Sequence, residues 1–297
     1  MSSVSIILPA KNEADGLAEL LPKIKKLHPE AELIVVNDSS TDDTLAICQN
    51  NKVKVINHPY TMGNGSAIKS GARAATGEIL VFMDADGQHD PNNIQILLDE
   101  LTKGYDMVVG ARQYGLSQAP ARRIANKVYN TLASLMTGFR ILDLTSGFRA
   151  ARAEKFKRFL YLLPNGFSYP TTITMAFLRS AFPISYIPIE ARRRMSSSKI
   201  RLFRDGLRFF IIILRVGALF SPMRLFLPIS AALFLVGALY YSYTYIMFSR
   251  FTNMSALLFI SALFTFLIGI LSEQISSLHY RNSESMEWLL NKSDRKD

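Results

Sequence analysis

Two acids close an apolar run in Ile79-Leu80-Val81-Phe82-Met83-Asp84-Ala85-Asp86-Gly87-Gln88. Side chains two apart on an extended backbone point the same way, so Asp84 and Asp86 can present carboxylates to one point at a strand's end. Hard oxygen donors suit Mg2+ or Mn2+, with a substrate's phosphate oxygens completing the shell, and Gln88 could add a carbonyl oxygen. The competing reading is a polar turn, since Asp and Gly are favoured there. Two more apolar runs end in acids: Leu33-Ile34-Val35-Val36-Asn37-Asp38, and the first run, which closes in Pro9-Ala10-Lys11-Asn12-Glu13. Residues Ser39–Thr44 read as a helix cap. Asp38 is left over and could accept hydrogen bonds from a base or ribose. Three successive acidic strand ends favour a nucleotide site over coincidental turns.

Positioning those acids requires a frame, and the pattern supplies one. Strands are expected at Val4–Leu8, Glu32–Asn37, Val53–Asn57, Ile79–Met83 and Asp106–Gly110, with helices at Glu13–Leu27, Asp42–Asn50, Gly63–Ala75 and Pro91–Lys103. This alternation predicts an α/β domain built on a mainly parallel sheet, with ligands beyond the carboxyl ends of the strands. No Gly-x-Gly-x-x-Gly follows the first strand, and no P-loop motif occurs, which excludes those phosphate cradles. Gly63-Asn64-Gly65 opens a helix and could approach phosphate through its backbone N–H groups.

The net charge is +10, and its distribution is uneven: between Arg192 and Arg224 nine Arg and Lys residues face only Asp205. Beyond Arg224 no charged residue occurs until Arg250, and then none until Glu273. Each run exceeds the roughly 20 residues that cross a bilayer as a helix, so a transmembrane hairpin is expected, with spans near 225–248 and 252–272. Basic residues crowd before the first span and return at Arg281, Lys292, Arg295 and Lys296, which predicts cytoplasmic ends. Arg201, Arg204, Arg208 and Arg215 form one basic stripe if helical, fitting a membrane interface or, alternatively, a solvated face. The charges adjoin the apolar segment and lack base-stacking motifs, which argues against nucleic acid. Cys48 is the single cysteine, so no intrachain disulfide forms and a cytoplasmic soluble part is expected.

Taken in order, Pro9-Ala10-Lys11-Asn12-Glu13, Asn37-Asp38-Ser39-Ser40, Gly63-Asn64-Gly65, Asp84-Ala85-Asp86-Gly87-Gln88-His89, Gly110-Ala111-Arg112, Leu144-Thr145-Ser146-Gly147-Phe148-Arg149 and Ser197-Ser198-Lys199 resemble the family-2 GT-A glycosyltransferases. Within them the resemblance is to polyprenyl-phosphate hexose synthases of the dolichol-phosphate mannose synthase type, and it covers nearly all of residues 4–200. It implies a GT-A catalytic domain at 1–195, and the charge and hydropathy pattern adds basic juxtamembrane helices at 196–224, a hairpin at 225–273 and a cytoplasmic tail at 274–297. It implies inverting transfer of a hexose from GDP-mannose or UDP-glucose to dolichyl or undecaprenyl phosphate. Pro9, Ala10, Glu13 and Asp38, with Asp84 and Asp86, would bind the nucleotide-sugar. Asp84, Asp86 and Gln88 would hold Mg2+ or Mn2+ on the pyrophosphate. Arg112, Arg123, Arg193 and Lys199 would grip the acceptor phosphate, with Asp86, Arg112 and Arg123 central to catalysis. Arg122 is an alternative to Arg123, and Arg149 reads as structural. Lys11 stands where Tyr is common, and Ser196 where Gly is expected. A processive polysaccharide synthase is the rival enzyme, but its Gln-x-x-Arg-Trp segment is missing, since Trp288 is the sole tryptophan. A non-catalytic lipid-binding membrane module is the rival from another class. Assembly into a homo-oligomer stays open.

Overall fold

The computed structural model describes residues 2–112, 120–166, 168–190, 218 and 220–293, except the side chains at 120–126 and 279–293. Arg193, Lys199 and most of the basic stretch lie outside the described residues, as do the side chains of Arg122 and Arg123. The chain divides into two compact units, Met1–Leu132 with Phe139–Gly206, and Ala133–Gly138 with Leu207–Asp297.

The first unit is an α/β domain around a seven-stranded sheet. Its strands are β1 Val4–Ala10, β2 Glu32–Asn37, β3 Lys54–Asn57, β4 Ile79–Phe82, β5 Met107–Arg112, β6 Arg149–Arg152 and β7 Ile184–Ile189, in the spatial order β3-β2-β1-β4-β6-β5-β7. Helices are α1 Ala14–Leu27, α2 Thr44–Asn50, α3 Asn64–Ala74, α4 Asn93–Thr102, α5 Pro120–Thr137, α6 Ala153–Lys157 and α7 Tyr169–Arg179, with α5 continuing into the second unit. β1 and β2 are apolar over nearly their whole length because helices cover both faces of the sheet. α1 meets it through Leu17, Leu20, Leu21 and Ile24, one face at helical spacing.

The sheet is mainly parallel, as expected, with one departure that sequence did not reveal. Among the described strands β6 alone runs antiparallel to its neighbours, wedged between β4 and β5. A reversed strand starts where parallel ones finish. The residues that precede β6 therefore lie at the edge where β4 and β5 deliver their carboxyl ends.

The second unit contains α8 Pro222–Phe248 and α9 Asn253–Ser293. Both are long and apolar enough to cross a membrane, over Pro222–Phe248 and Asn253–Leu278. Between them Ser249 ends α8 in the left-handed conformation and donates to the Tyr245 carbonyl. The helices meet through small residues: Gly237 lies against Leu258 and Phe259, and Ser230 Oγ donates to the Ala262 carbonyl at 2.8 Å. Outward, Leu239 is 71% and Ile246 77% exposed, apolar surface that suits lipid and not water. At the start of α8, Arg224 donates to the Met136 carbonyl at 2.9 Å, satisfying an orphan acceptor at the end of α5.

Candidate active site

The carboxyl ends of β1, β2, β4 and β5, with the approach to β6, form one edge, and Pro9, Ala10, Glu13, Asp38, Asp84, Asp86, Gln88 and Arg112 lie along it; Arg123, Arg193 and Lys199 are not among the described side chains. Pro9 and Ala10 close β1 and pair in register with Val36 and Asn37 of β2. Asn12, in the left-handed conformation, donates its N–H to Ser40 Oγ and accepts from Thr41 N–H. Asp42 accepts from Ala14 N–H and Thr44 N–H, capping the starts of α1 and α2 together. Glu13 is half-buried and Lys11 exposed.

Asp38 turns inward. It is 4% exposed, and its carboxylate accepts from Met62 N–H at 2.8 Å, Gly63 N–H at 2.9 Å and the His58 ring at 2.8 Å. Burial raises its pKa, but the bonds from His58, Met62 and Gly63 outweigh that and hold it below the usual carboxylate range. The structure thus gives Asp38 the task of shaping the turn 58–63. His58, which sequence reasoning missed, continues the chain to Ser70 Oγ at 2.9 Å.

The reading of Gly63-Asn64-Gly65 as a phosphate cradle is corrected by the structure. Gly65 N–H donates to the Gly166 carbonyl and Ser66 N–H to the Asn165 carbonyl, so these donors at the start of α3 are spent. A Cβ at Gly65 would stand 1.9 Å from the Pro164 carbonyl oxygen, and one at Gly63 2.7 Å from that of Asn165. The glycines are there to let the 164–166 segment approach.

β4 ends at Phe82, and Asp84-Ala85-Asp86-Gly87 forms a turn in which Gly87 has φ +72° and Asp86 Oδ1 accepts from Gln88 N–H. Alternation nevertheless persists through it: Met83 and Ala85 are buried in the core, while Asp84, Asp86 and Gln88 are half-buried. The turn is held from two sides by glycines. A Cβ on Gly16 of α1 would meet the Ala85 carbonyl oxygen at 2.2 Å, and one on Gly147 would meet Asp84 Oδ2 at 2.9 Å. His89 stacks on Phe148 with ring centroids 4.9 Å apart, and its Nδ1 has no hydrogen-bond partner among the described residues. Burial lowers its imidazole to about 4, Asp86 opposing, Arg112 adding and Asp143 opposing, so the ring is neutral at pH 7.

Arg112 closes β5 beside this turn. Its Nε donates to Asp143 Oδ2 at 2.8 Å and its Nη2 to Asp143 Oδ1 at 3.1 Å and Thr145 Oγ1 at 2.7 Å. Asp143 is 1% exposed; burial raises its pKa, but the bonds and charge of Arg112 together with the Thr145 N–H outweigh that and hold it below the usual carboxylate range. Asp143 also escaped sequence reasoning, because its partner lies 31 residues away. Arg149 is wholly buried, donates to the Ser146 and Pro170 carbonyls and to Thr174 Oγ1, and ties β6 to α7.

Among the described residues no group of three or more His, Cys, Asp or Glu side chains stands ready to enclose a metal ion. Two half-buried carboxylates and an amide at one turn fit a different arrangement. Mg2+ is commonly held by one or two carboxylates together with substrate phosphates. The bare Gly147 leaves the Asp84 carboxylate the room that such a role needs.

Residues 5–160 match the Glycosyl transferase family 2 domain, and residues 221–278 match the GtrB C-terminal hairpin. Polyprenol monophosphomannose synthase of Mycolicibacterium smegmatis is 29% identical over 217 residues, spanning 66% of this chain and 82% of that protein. Undecaprenyl-phosphate mannosyltransferase of Micrococcus luteus is 27% identical over 212 residues, spanning 66% and 87%. Among solved structures, glucosyl-3-phosphoglycerate synthase from Mycobacterium tuberculosis, in complex with Mn2+ and UDP-glucose, superposes with a TM-score of 0.60 at 23% identity, over 73% of this chain and 79% of that one. That last likeness is one of fold.

Proposed function

Since the chain belongs to glycosyl transferase family 2, we propose that it moves a hexose from a nucleoside diphosphate to a polyprenyl phosphate at the cytoplasmic face of a membrane, with inversion. The observation that carries this reading is the half-buried pair Asp84 and Asp86 at the site edge, in a chain whose other unit is an apolar hairpin of the GtrB type. The names of the mycobacterial and micrococcal relatives support a polyprenyl phosphate acceptor. GDP-mannose and UDP-glucose are the donors to try first. We assign the catalytic domain to 1–195, the basic membrane-facing stretch to 196–224, the hairpin to 225–273 and the tail to 274–297, with both termini cytoplasmic.

In this mechanism an acceptor phosphate oxygen bonds to the anomeric carbon as the bond from that carbon to the nucleoside diphosphate breaks. A phosphate monoester has a second pKa near about 6 and is mostly dianionic at neutral pH, so no protein base is required. The chain's work is to hold and desolvate that dianion in line with the anomeric carbon. Arg123, Arg193 and Lys199 are the groups we assign to it. Arg112 is the fourth, and the two-pronged hold of Asp143 orients its guanidinium before any phosphate arrives. On the donor side, Pro9, Ala10 and Glu13 line the end of β1, and Asp38 acts through the turn that it shapes. Asp84, Asp86 and Gln88 are the residues that would hold a Mg2+ or Mn2+ ion, which when bound offsets charge on the departing diphosphate.

The test is purified full-length protein with Mg2+ or Mn2+, a panel of UDP- and GDP-hexoses, and a short polyprenyl phosphate. Formation of a glycosyl phosphoryl polyprenol is expected. In the same assay Arg123→Ala should raise KM for the lipid by about 10-fold or more while donor KM changes by less than about twofold. Polymer as product, or donor binding without transfer to any lipid phosphate, overturns the reading.

A further inference from the structure

We propose that Tyr169 and Gly147 are positioning residues for the Asp84 carboxylate: the Tyr169 hydroxyl holds the Gly147 peptide against it and thereby sets the affinity of the Asp84–Asp86 turn for a divalent cation. This rests on the reading above, in which Asp84 helps to hold such a cation.

The geometry follows from the reversed strand. β4 and β6 pair Phe82 with Arg149, and two residues further along the same antiparallel register Asp84 faces Gly147. With any side chain at 147 the two would collide, since a Cβ there would lie 2.9 Å from Asp84 Oδ2 and 3.2 Å from Oδ1. Close approach makes the carboxylate's setting depend on where the Gly147 backbone lies. That backbone is fastened on both sides. Ser146 Oγ donates to the Gly110 carbonyl at 2.6 Å, the Ser146 carbonyl accepts from Arg149, and the Gly147 carbonyl accepts from the Tyr169 hydroxyl at 3.1 Å.

Tyr169 opens α7 and is 1% exposed, with its ring 6.5 Å from that of Phe82, two residues before Asp84. A phenylalanine would fill the same space without burying a polar atom, so the hydroxyl's bond to Gly147 is what the tyrosine adds. Burial raises the phenol's pKa far above its usual range, so it remains a donor at every working pH. From the opposite side Gly16 brings α1 onto the Ala85 carbonyl, which limits how the turn can yield if Gly147 shifts.

The experiment measures Mn2+ binding to the full-length protein in detergent by electron paramagnetic resonance, with GDP and separately with UDP present. The variants are Tyr169→Phe, Gly147→Ala and Asp84→Ala, and each of the first two combined with the third. Tyr169→Phe and Gly147→Ala are each expected to weaken Mn2+ about 10-fold, the scale on which hydrogen bonds behind metal ligands act. In the Asp84→Ala background neither should weaken it further. Equal losses in both backgrounds would mean a general loosening of structure and would overturn the proposal. So would unchanged Mn2+ affinity in Tyr169→Phe and Gly147→Ala while Asp84→Ala weakens it. If Asp84→Ala itself leaves Mn2+ binding intact, the cation reading has failed first. Circular dichroism and melting curves confirm folding, and the conservative Tyr169→Phe keeps the test available if Gly147→Ala does not fold.

Discussion

Asp38 and Asp84 occupy matching places in the sequence, each closing an apolar run at the carboxyl edge of the sheet, yet the fold treats them in opposite ways. Asp38 is 4% exposed, and its two oxygens receive His58, Met62 N–H and Gly63 N–H. Asp84 keeps part of its surface accessible and is pressed by a residue that has no side chain. The first acid stabilises a turn of its own chain; the second stands where a bound group can reach it. An acid at a strand's end therefore marks an edge, and only its surroundings tell whether it serves architecture or chemistry.

The difference can be broken most sharply by removing each acid. Asp84→Ala or Asp86→Ala should lower turnover by at least about 10²-fold while the melting temperature stays near that of the parent, measured by transfer of labelled hexose into lipid extract. Asp38→Ala should show the reverse emphasis. It strands two part-buried N–H groups and a buried imidazole, costing about 3 kcal/mol, and at roughly 2–4 °C per kcal/mol the melting temperature should fall by about 6–12 °C. A stable Asp38→Ala protein with turnover as low as Asp84→Ala would erase the distinction. The smallest effect is expected at the opposite edge of the sheet, where Glu32 accepts from Ser5, Lys54 and Thr76. Burial raises its pKa, but these bonds outweigh it and bring the group to about 2. A depressed carboxylate contributes stability that is present above the unfolded pKa of about 4.3 and is lost as pH falls through the folded value. Unfolding measured from pH 5 to pH 2 should lose that slope in Glu32→Gln, with turnover at pH 7 unchanged.

The regions legible in the sequence share one physical property. β1, β2, β4 and β5 are covered on both faces or nearly so, so each announces itself as an apolar run, and β2 was expected at Glu32–Asn37, where it lies. β6 is Arg149-Ala150-Ala151-Arg152, which has neither an apolar run nor a β-branched residue, and it is a strand because β4 and β5 bracket it. α7 is buried nearly all round, so it lacks the one-sided stripe by which a helix is recognised. Within the site, the Asp84–Gln88 turn was visible because its residues are contiguous. Asp143 and His58 were not, because each is a lone polar residue whose partner, Arg112 or Asp38, is tens of positions away. Gly63 and Gly65 misled for the same reason: the 164–166 segment that they admit is about a hundred residues downstream.

The reversed direction of β6 bears on which changes of length the chain can absorb. Residues 138–145 form an irregular stretch that enters this strand at the site edge. A deletion or insertion there is tolerable only if Ser146 to Arg152 stay in step with β4. Slipping by a single residue would set either Ser146 or Phe148 opposite Asp84, exchange the inward and outward sides of the strand, and withdraw the buried Arg149 from α7. Drift in that connection is thus coupled to the neighbouring strand through register: alterations that preserve the pairing leave the carboxylate undisturbed, and slips do not.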